Sequence, residues 1–301
     1  MTDRPKIPDD LWNVMAEIGP KWRTDVPGHV RRMVEEFSAV HRQAPADDIR
    51  IEYDLPYGAH ERQKIDLYAP HGGEKRAAVV FVHGGAFTDG SRARTPEIFA
   101  NVGRYFARHG IVGVTAGYRL APEAQYPEAA RDMASIVRWL KDHADEWSID
   151  PDRIFLMGHS AGGAHVTTYA YDARHHPKAG TGLAGILVIS GRVRIDTLPE
   201  NPNARRVEAY YGTDAATYDD RSPVEHVNAG SVPTFVAWAE YENPLIDVYC
   251  AELVHRLAVA KRRAGPAMGL PRHNHISIVA HIGTADDVLG AAIREFVVRP
   301  R

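Results

Sequence analysis

Cysteine is almost missing from this chain: among 301 residues there is one, Cys250. A single cysteine excludes an intramolecular disulfide and fits a reducing compartment. A strong net charge is missing too. Lys and Arg number 36 against 39 Asp and Glu, giving a formal charge of −3. With an isoelectric point near 6.6, nothing points to nucleic acid or an anionic membrane as a partner. No apolar run approaches the roughly 20 residues a membrane span requires. The opening residues Met1-Thr2-Asp3-Arg4-Pro5 carry no apolar signal segment, so the expectation is a cytoplasmic protein. There is no internal repeat and no low-complexity tract. What is present, 44% hydrophobic residues in 33.3 kDa, suffices for one large core, or a core with a small cap.

Residues 1 to about 47 read as helical and polar-rich. Leu11, Met15 and Ile18 are spaced for one face, and Val30, Met33, Val34 and Phe37 for another. From Ile49 onward strands alternate with helices. Ile49–Tyr57 and Gln63–Ala69 read as an antiparallel pair at a sheet edge. Strands are then expected at 77–82, 111–117, 153–159, 184–190, 232–239 and, briefly, 266–270. Helices are expected at 96–109, 127–146, 161–173, 244–263 and 285–298, with Cys250 packed in the second-to-last. Such alternation requires a mainly parallel sheet covered on both faces. Residues 191–230 hold no clear strand, and a loop of that length in a compact domain is usually functional.

Gly158-His159-Ser160-Ala161-Gly162 is the most informative stretch. A buried-strand run, Arg153-Ile154-Phe155-Leu156-Met157, leads into it, and a helix start leads out. A strand-to-helix turn this sharp strains the serine backbone and admits only small neighbours, here Gly158 and Gly162. The Ser160 hydroxyl then projects above the sheet at the positive end of a helix. Upstream, the run Ala77–Val82 ends in His83-Gly84-Gly85-Ala86-Phe87. Acyl transfer needs backbone N–H groups aimed at the oxygen that becomes negative, and consecutive glycines let bare backbone approach it. Gly84, Gly85 and Ala161 are the expected oxyanion donors, with Ala86 a further candidate.

These two motifs resemble the α/β-hydrolase branch of hormone-sensitive-lipase-like carboxylesterases and arylformamidases. Tyr118-Arg119-Leu120-Ala121-Pro122-Glu123, Tyr126-Pro127, Asp132, Trp139-Leu140 and Asp150-Pro151-Asp152-Arg153 extend the resemblance over about residues 48 to 298. Two positions depart from the lipase-like group: Ala86 stands where a third glycine is usual, and His159 where an aspartate is. The resemblance implies an α/β-hydrolase fold with a small helical cap. The N-terminal segment (1–47) and about 191–230 would build that cap over the catalytic domain (48–301). Met33, Phe37 and Trp22 are then candidates for lining the substrate pocket, although their spacing favours core packing.

Ser160 needs a base and an orienting acid, following it in the order acid, then histidine. For the base, Pro271-Arg272-His273-Asn274-His275-Ile276-Ser277 offers two histidines. His275 fits best because Ile276-Ser277 follows it, and His273 is second. Two histidines two apart with nothing else nearby argue against a metal site. For the acid, the strand 232–239 ends at Glu240-Tyr241-Glu242-Asn243-Pro244-Leu245-Ile246-Asp247. Glu242 falls where the resembling family carries an aspartate. Asp247, about one turn into the helix, and Glu240 remain alternatives.

Arg192, Arg194, Tyr210 and Tyr211 are further pocket candidates. Arg192 lies near the carboxyl ends of the sheet, where an acidic substrate group could pair with it, but a surface salt bridge is preferred. His83 reads as pinning backbone rather than moving protons, Tyr118, Arg119 and Asp132 as supports of the oxyanion loop, and His175-His176 as a solvated helix end. The expectation is therefore a serine hydrolase cleaving a small carboxylic ester through an acyl-enzyme, without a cofactor. An amidase acting on an aryl-formamide is the runner-up. A non-catalytic ligand receptor or a lyase on the same fold stand further back. The expected partner is a small-molecule ester or amide, and the resemblance adds a possible homodimer.

Overall fold

The computed structural model describes residues 4–45 and 48–299. Met1, Thr2 and Asp3, and the expected segment boundary at residue 47, lie outside the described residues. In chain order the elements are α1 (Asp9–Ile18), α2 (Val26–His41), β1 (Arg50–Pro56), β2 (Lys64–Ala69), β3 (Arg76–Val82) and α3 (Ala100–Arg108). They continue with β4 (Val112–Ala116), α4 (Glu128–Asp142), β5 (Ile149–His159), α5 (Ala161–Tyr171), β6 (Gly185–Ile189) and α6 (Ala204–Tyr211). The remainder is α7 (Tyr218–Arg221), β7 (Thr234–Tyr241), α8 (Ile246–Lys261), β8 (Ala267–Asn274), α9 (Ser277–Ala280) and α10 (Val288–Val298).

The eight strands form one sheet in the order β1-β2-β4-β3-β5-β6-β7-β8. β2 runs antiparallel to both its neighbours, and every pairing from β4 to β8 is parallel. Two apolar cores explain why the central strands read as unbroken hydrophobic runs. Side chains alternate across a strand, so Val80, Val82, Leu156, Val188 and Val236 join α4, α5 and α8 on one face. Val79, Phe81, Phe155, Met157, Leu187 and Phe235 join α1, α2, α3 and α10 on the other. A strand sandwiched between two helical layers has no polar face. Truncating one of these buried side chains, such as Phe81, would cost about 3–5 kcal/mol.

Several expectations are corrected. Helix α3 begins at Ala100, four residues late, because Thr95 Oγ1 accepts the Glu97 and Ile98 N–H groups in a turn of its own. Helix α4 stops at Asp142, and α10 starts at Val288. Strand β8 runs to Asn274 rather than ending near 270. Residues 191–230 contain no strand but are not an open loop: α6, α7 and 3₁₀ turns occupy much of them. Trp22, Met33 and Phe37 are fully buried in the core beside α3 and α9, the packing their spacing favoured. Tyr210 and Tyr211 are likewise buried, packed on Phe87. His175 is not solvated, since its Nε2 meets Tyr126 Oη at 2.9 Å and Asp172 at 3.2 Å. Cys250 is buried in α8 as expected.

The fold gathers loose ends at one edge. The segments after β3, β5, β6, β7 and β8 leave the sheet from its carboxyl side, five adjacent parallel strands delivering five loops to one place. Open parallel sheets bind ligands there.

Candidate active site

Ser160 closes β5 and opens α5 with φ 56° and ψ −119°. A left-handed, extended-ψ serine is strained, and the turn exists because its neighbours have no side chains. A Cβ on Gly162 would lie 2.2 Å from the Val82 carbonyl oxygen, and one on Gly84 would lie 2.8 Å from the Cβ of Ser160. Strand β3 and the turn after β5 can touch only through glycine.

The structure brings Ser160, His275 and Glu242 into one chain of hydrogen bonds. His275 Nε2 lies 3.0 Å from Ser160 Oγ. On the other side of the ring, Nδ1 lies 2.5 Å from Glu242 Oε2. A carboxylate can only accept, so Nδ1 carries the proton and Nε2 offers its lone pair to the serine hydroxyl. Both side chains are almost fully buried. Glu242 is fixed from behind: its Oε1 accepts the Ala239 N–H at 2.9 Å and the Ser190 hydroxyl, which comes from the end of β6.

The alternatives lie elsewhere. Glu240 Oε2 accepts the Arg272 N–H at 2.6 Å. Asp247 sits in the first turn of α8. His273 Nε2 faces Asp286 at 3.1 Å and its Nδ1 faces Ser277 Oγ at 3.1 Å. The expectation that nothing metal-ligating lies near His273 is corrected. After the short turn of α9, His281 and Asp286 come back to it, with one ligand atom from each of the three within 4.8 Å of the others.

Four supports were not legible in the sequence. Ser190 holds Glu242. His159 Nε2 donates to the His275 carbonyl at 2.8 Å, and burial drives its pKa well below the ordinary value, so it stays neutral. Trp22 Nε1 donates to Asn243 Oδ1 at 2.9 Å, and Arg23 Nε to the Glu242 carbonyl at 3.0 Å. The N-terminal helices thereby clamp the loop that carries the acid.

The His83–Phe87 loop is held as firmly. His83 is buried and pushed down to about 4, and its Nδ1 donates to the Gly84 carbonyl at 2.7 Å. Tyr118 Oη donates to the His83 carbonyl at 2.8 Å, while Asp132 receives Arg119 and Gln63 beneath. Among the described residues the N–H groups of Gly84, Gly85 and Ala161 meet no acceptor. Gly84 and Gly85 line a cavity of about 440 Å³ together with Ser160, His275 and His159, and Ala161 follows Ser160 directly in the chain. Val26, Pro27 and Val30 of α2 form part of its wall.

Arg192 is corrected on both counts. Its guanidinium makes a buried ion pair with Asp196 at 2.7 Å, and Asp196 also accepts from Tyr249. It meets neither substrate space nor surface. Arg194 is bound to Glu252, Glu225 and Asp219. No helix among the described residues is long and apolar enough to cross a membrane.

With this geometry in hand, comparison with known proteins gives a family. The BD-FAE family model matches residues 65–255, well over half of the chain. The chain belongs to the BD-FAE family. Its strand order and flanking helices are those of the α/β-hydrolase fold. A crystal structure of the Pyrobaculum calidifontis esterase superposes with a TM-score of 0.70 at 20% identity, covering 96% of this chain and 97% of that one. In sequence, an acetyl esterase of Salmonella paratyphi B is 25% identical over 77% of this chain and 75% of its own length. An ethyl acetate hydrolase of Pseudomonas putida is 30% identical over 46% of this chain and 44% of its own. Five curated relatives at 30–34% identity share less than half of their own length with this chain.

Proposed function

We propose that this chain is a serine hydrolase that cleaves small carboxylic esters through an acyl-enzyme. The observation that carries the reading is the continuous bond path from Ser160 Oγ through the His275 ring to Glu242, beside three unsatisfied amides. Each part has one chemical use. Ser160 Oγ attacks the ester carbonyl carbon while His275 Nε2 takes its proton. The carbonyl oxygen becomes negative and is received by the N–H groups of Gly84, Gly85 and Ala161. As the tetrahedral species collapses, the carbon–oxygen bond to the alcohol breaks and His275 returns the proton to that leaving oxygen. Water, deprotonated by the same nitrogen, then attacks the acyl-serine and frees the acid and Ser160. Glu242 accepts the Nδ1–H and stabilises the imidazolium that forms twice in the cycle. His159 and Ser190 position His275 and Glu242.

Names among the relatives, acetyl esterase and ethyl acetate hydrolase, favour an ester over an amide and a short acyl group. Helices α1 and α2 with α6 would act as the cap, since α2 and the start of α6 wall the cavity above Ser160. The test is turnover of p-nitrophenyl acetate, butyrate and octanoate, with an aryl-formamide alongside. Expected is fastest turnover on the short esters and little on the formamide. Formamide hydrolysis without ester hydrolysis would move the assignment to the amidase reading.

A further inference from the structure

The cavity over Ser160 carries a charge pattern that ester hydrolysis alone does not require. Its lining includes three arginines, Arg31 of α2, Arg94 from the loop after β3 and Arg206 of α6, and one carboxylate, Asp89. The guanidinium groups of all three lack any hydrogen-bond, ion-pair or ring partner among the described residues. Five arginines elsewhere are paired, although the exposed Arg138, Arg205, Arg262 and Arg263 share the lack of a partner among the described residues. Arg92, Arg119, Arg174, Arg192 and Arg194 each meet at least one carboxylate within 3.0 Å. Arg31, Arg94 and Arg206 are set apart by their place: three separate segments bring them to the wall of one cavity, the one that holds Ser160.

Arg94 is exposed like Arg31 and Arg206, but it alone of the three is desolvated enough for its pKa to move. Partial desolvation lowers its pKa from the ordinary arginine value, with the Asp89 charge pulling the other way. Its charge reaches the floor of the cavity, where it adds to the lowering at both His83 and His159. Asp89 is partly engaged, its Oδ1 accepting the Gly90 N–H at 2.7 Å. The oxyanion of the reaction is already served by backbone amides, so the arginines answer to a different negative charge. A guanidinium fork is matched to a planar carboxylate, and partial exclusion of water strengthens that pairing.

Resting on the ester-hydrolase reading, we propose that the preferred ester carries a carboxylate on its acyl or alcohol part, received by Arg94 with Arg31 and Arg206 at the rim. The apolar wall from α2 would take the carbon chain between that carboxylate and the scissile carbonyl.

Two substrate pairs test this. Mono-p-nitrophenyl adipate against p-nitrophenyl methyl adipate places the charge on the acyl side; para-acetoxybenzoate against its methyl ester places it on the alcohol side. Uncatalysed rates are subtracted throughout. Expected is a kcat/KM preference of roughly tenfold or more for the charged member of at least one pair, the worth of one charge-assisted hydrogen bond. The favoured pair tells acyl from alcohol. Raising ionic strength should shrink the preference, because the Debye length falls from about 10 Å at 0.1 M to about 3 Å at 1 M. Arg94→Gln should reduce it several-fold, and Arg206→Gln, at an exposed position where folding is not at stake, should reduce it in the same direction. Ser160-dependent turnover of the neutral esters with no preference for the charged ones, or a preference indifferent to both arginine changes, overturns this proposal and leaves the hydrolase standing. No turnover of any ester by the folded protein overturns both.

Discussion

Replacing His275 with Ala is expected to lower kcat by about 10⁴- to 10⁶-fold, the scale for removing the base of a serine triad. His273→Ala is expected to keep activity within about tenfold, since a residue that only packs near the site moves rate far less than the base itself. The contrast follows from geometry: one ring faces Ser160 Oγ, while the other faces Asp286 and Ser277. Only the first can move the proton that must leave the hydroxyl. His273 is buried, so its variant is checked by thermal unfolding before rates are compared. Equal losses in two equally folded variants would contradict the assignment of the base.

The second large effect is at Glu242. Glu242→Gln keeps size and shape, yet turnover should fall about 10²- to 10⁴-fold. Ser190 and the Ala239 amide both donate to Oε1. They will hold the glutamine carbonyl oxygen in that position, which turns its NH₂ toward His275 Nδ1. A donor there forces Nδ1 to accept, so the imidazole proton moves to Nε2. A protonated Nε2 cannot take the serine proton. Asp247→Asn should leave kcat within about threefold, as Asp247 lies on α8 outside this bond path. Steady-state kinetics on p-nitrophenyl acetate checks both variants, and comparable losses would count against Glu242.

Much of this site was legible because its local geometry is written in small residues. The turn at Ser160 demands glycines at 158 and 162, and the loop after β3 demands Gly84, so spacing alone exposed both motifs. The parallel strands were legible for a related reason: burial on both faces leaves no polar positions to confuse the pattern. The second half of strand β8 was hidden because it is an edge strand whose last residues are Pro271, Arg272, His273 and Asn274. Its ladder is irregular there, Arg272 has φ 68°, and the Arg272 N–H is satisfied by the Glu240 carboxylate. No periodicity marks such a segment. Helix α6 did carry a signal, Val207, Tyr210 and Tyr211 at helical spacing, beneath a polar surround that read as loop.

What sequence could not reveal is convergence over distance. Ser190 is 52 residues from Glu242, and His159 is 116 from the carbonyl it holds. Trp22 is 221 from Asn243. Each is ordinary where it stands, and only the shared carboxyl edge of the sheet gives it a task. Arg192 shows the converse. Its position near that edge made substrate contact an option beside a surface salt bridge, but Asp196, four residues along, takes the charge in a buried pair.

The most direct test is the intact mass of the protein, followed by peptide mapping, after reaction with a p-nitrophenyl alkylphosphonate. A phosphonate ester mimics the tetrahedral species and stays attached to the nucleophile. The account predicts one adduct per chain, on the peptide that holds Ser160, absent in Ser160→Ala and slowed by orders of magnitude in His275→Ala. An unlabelled folded protein, or an adduct on any residue other than Ser160, would contradict it.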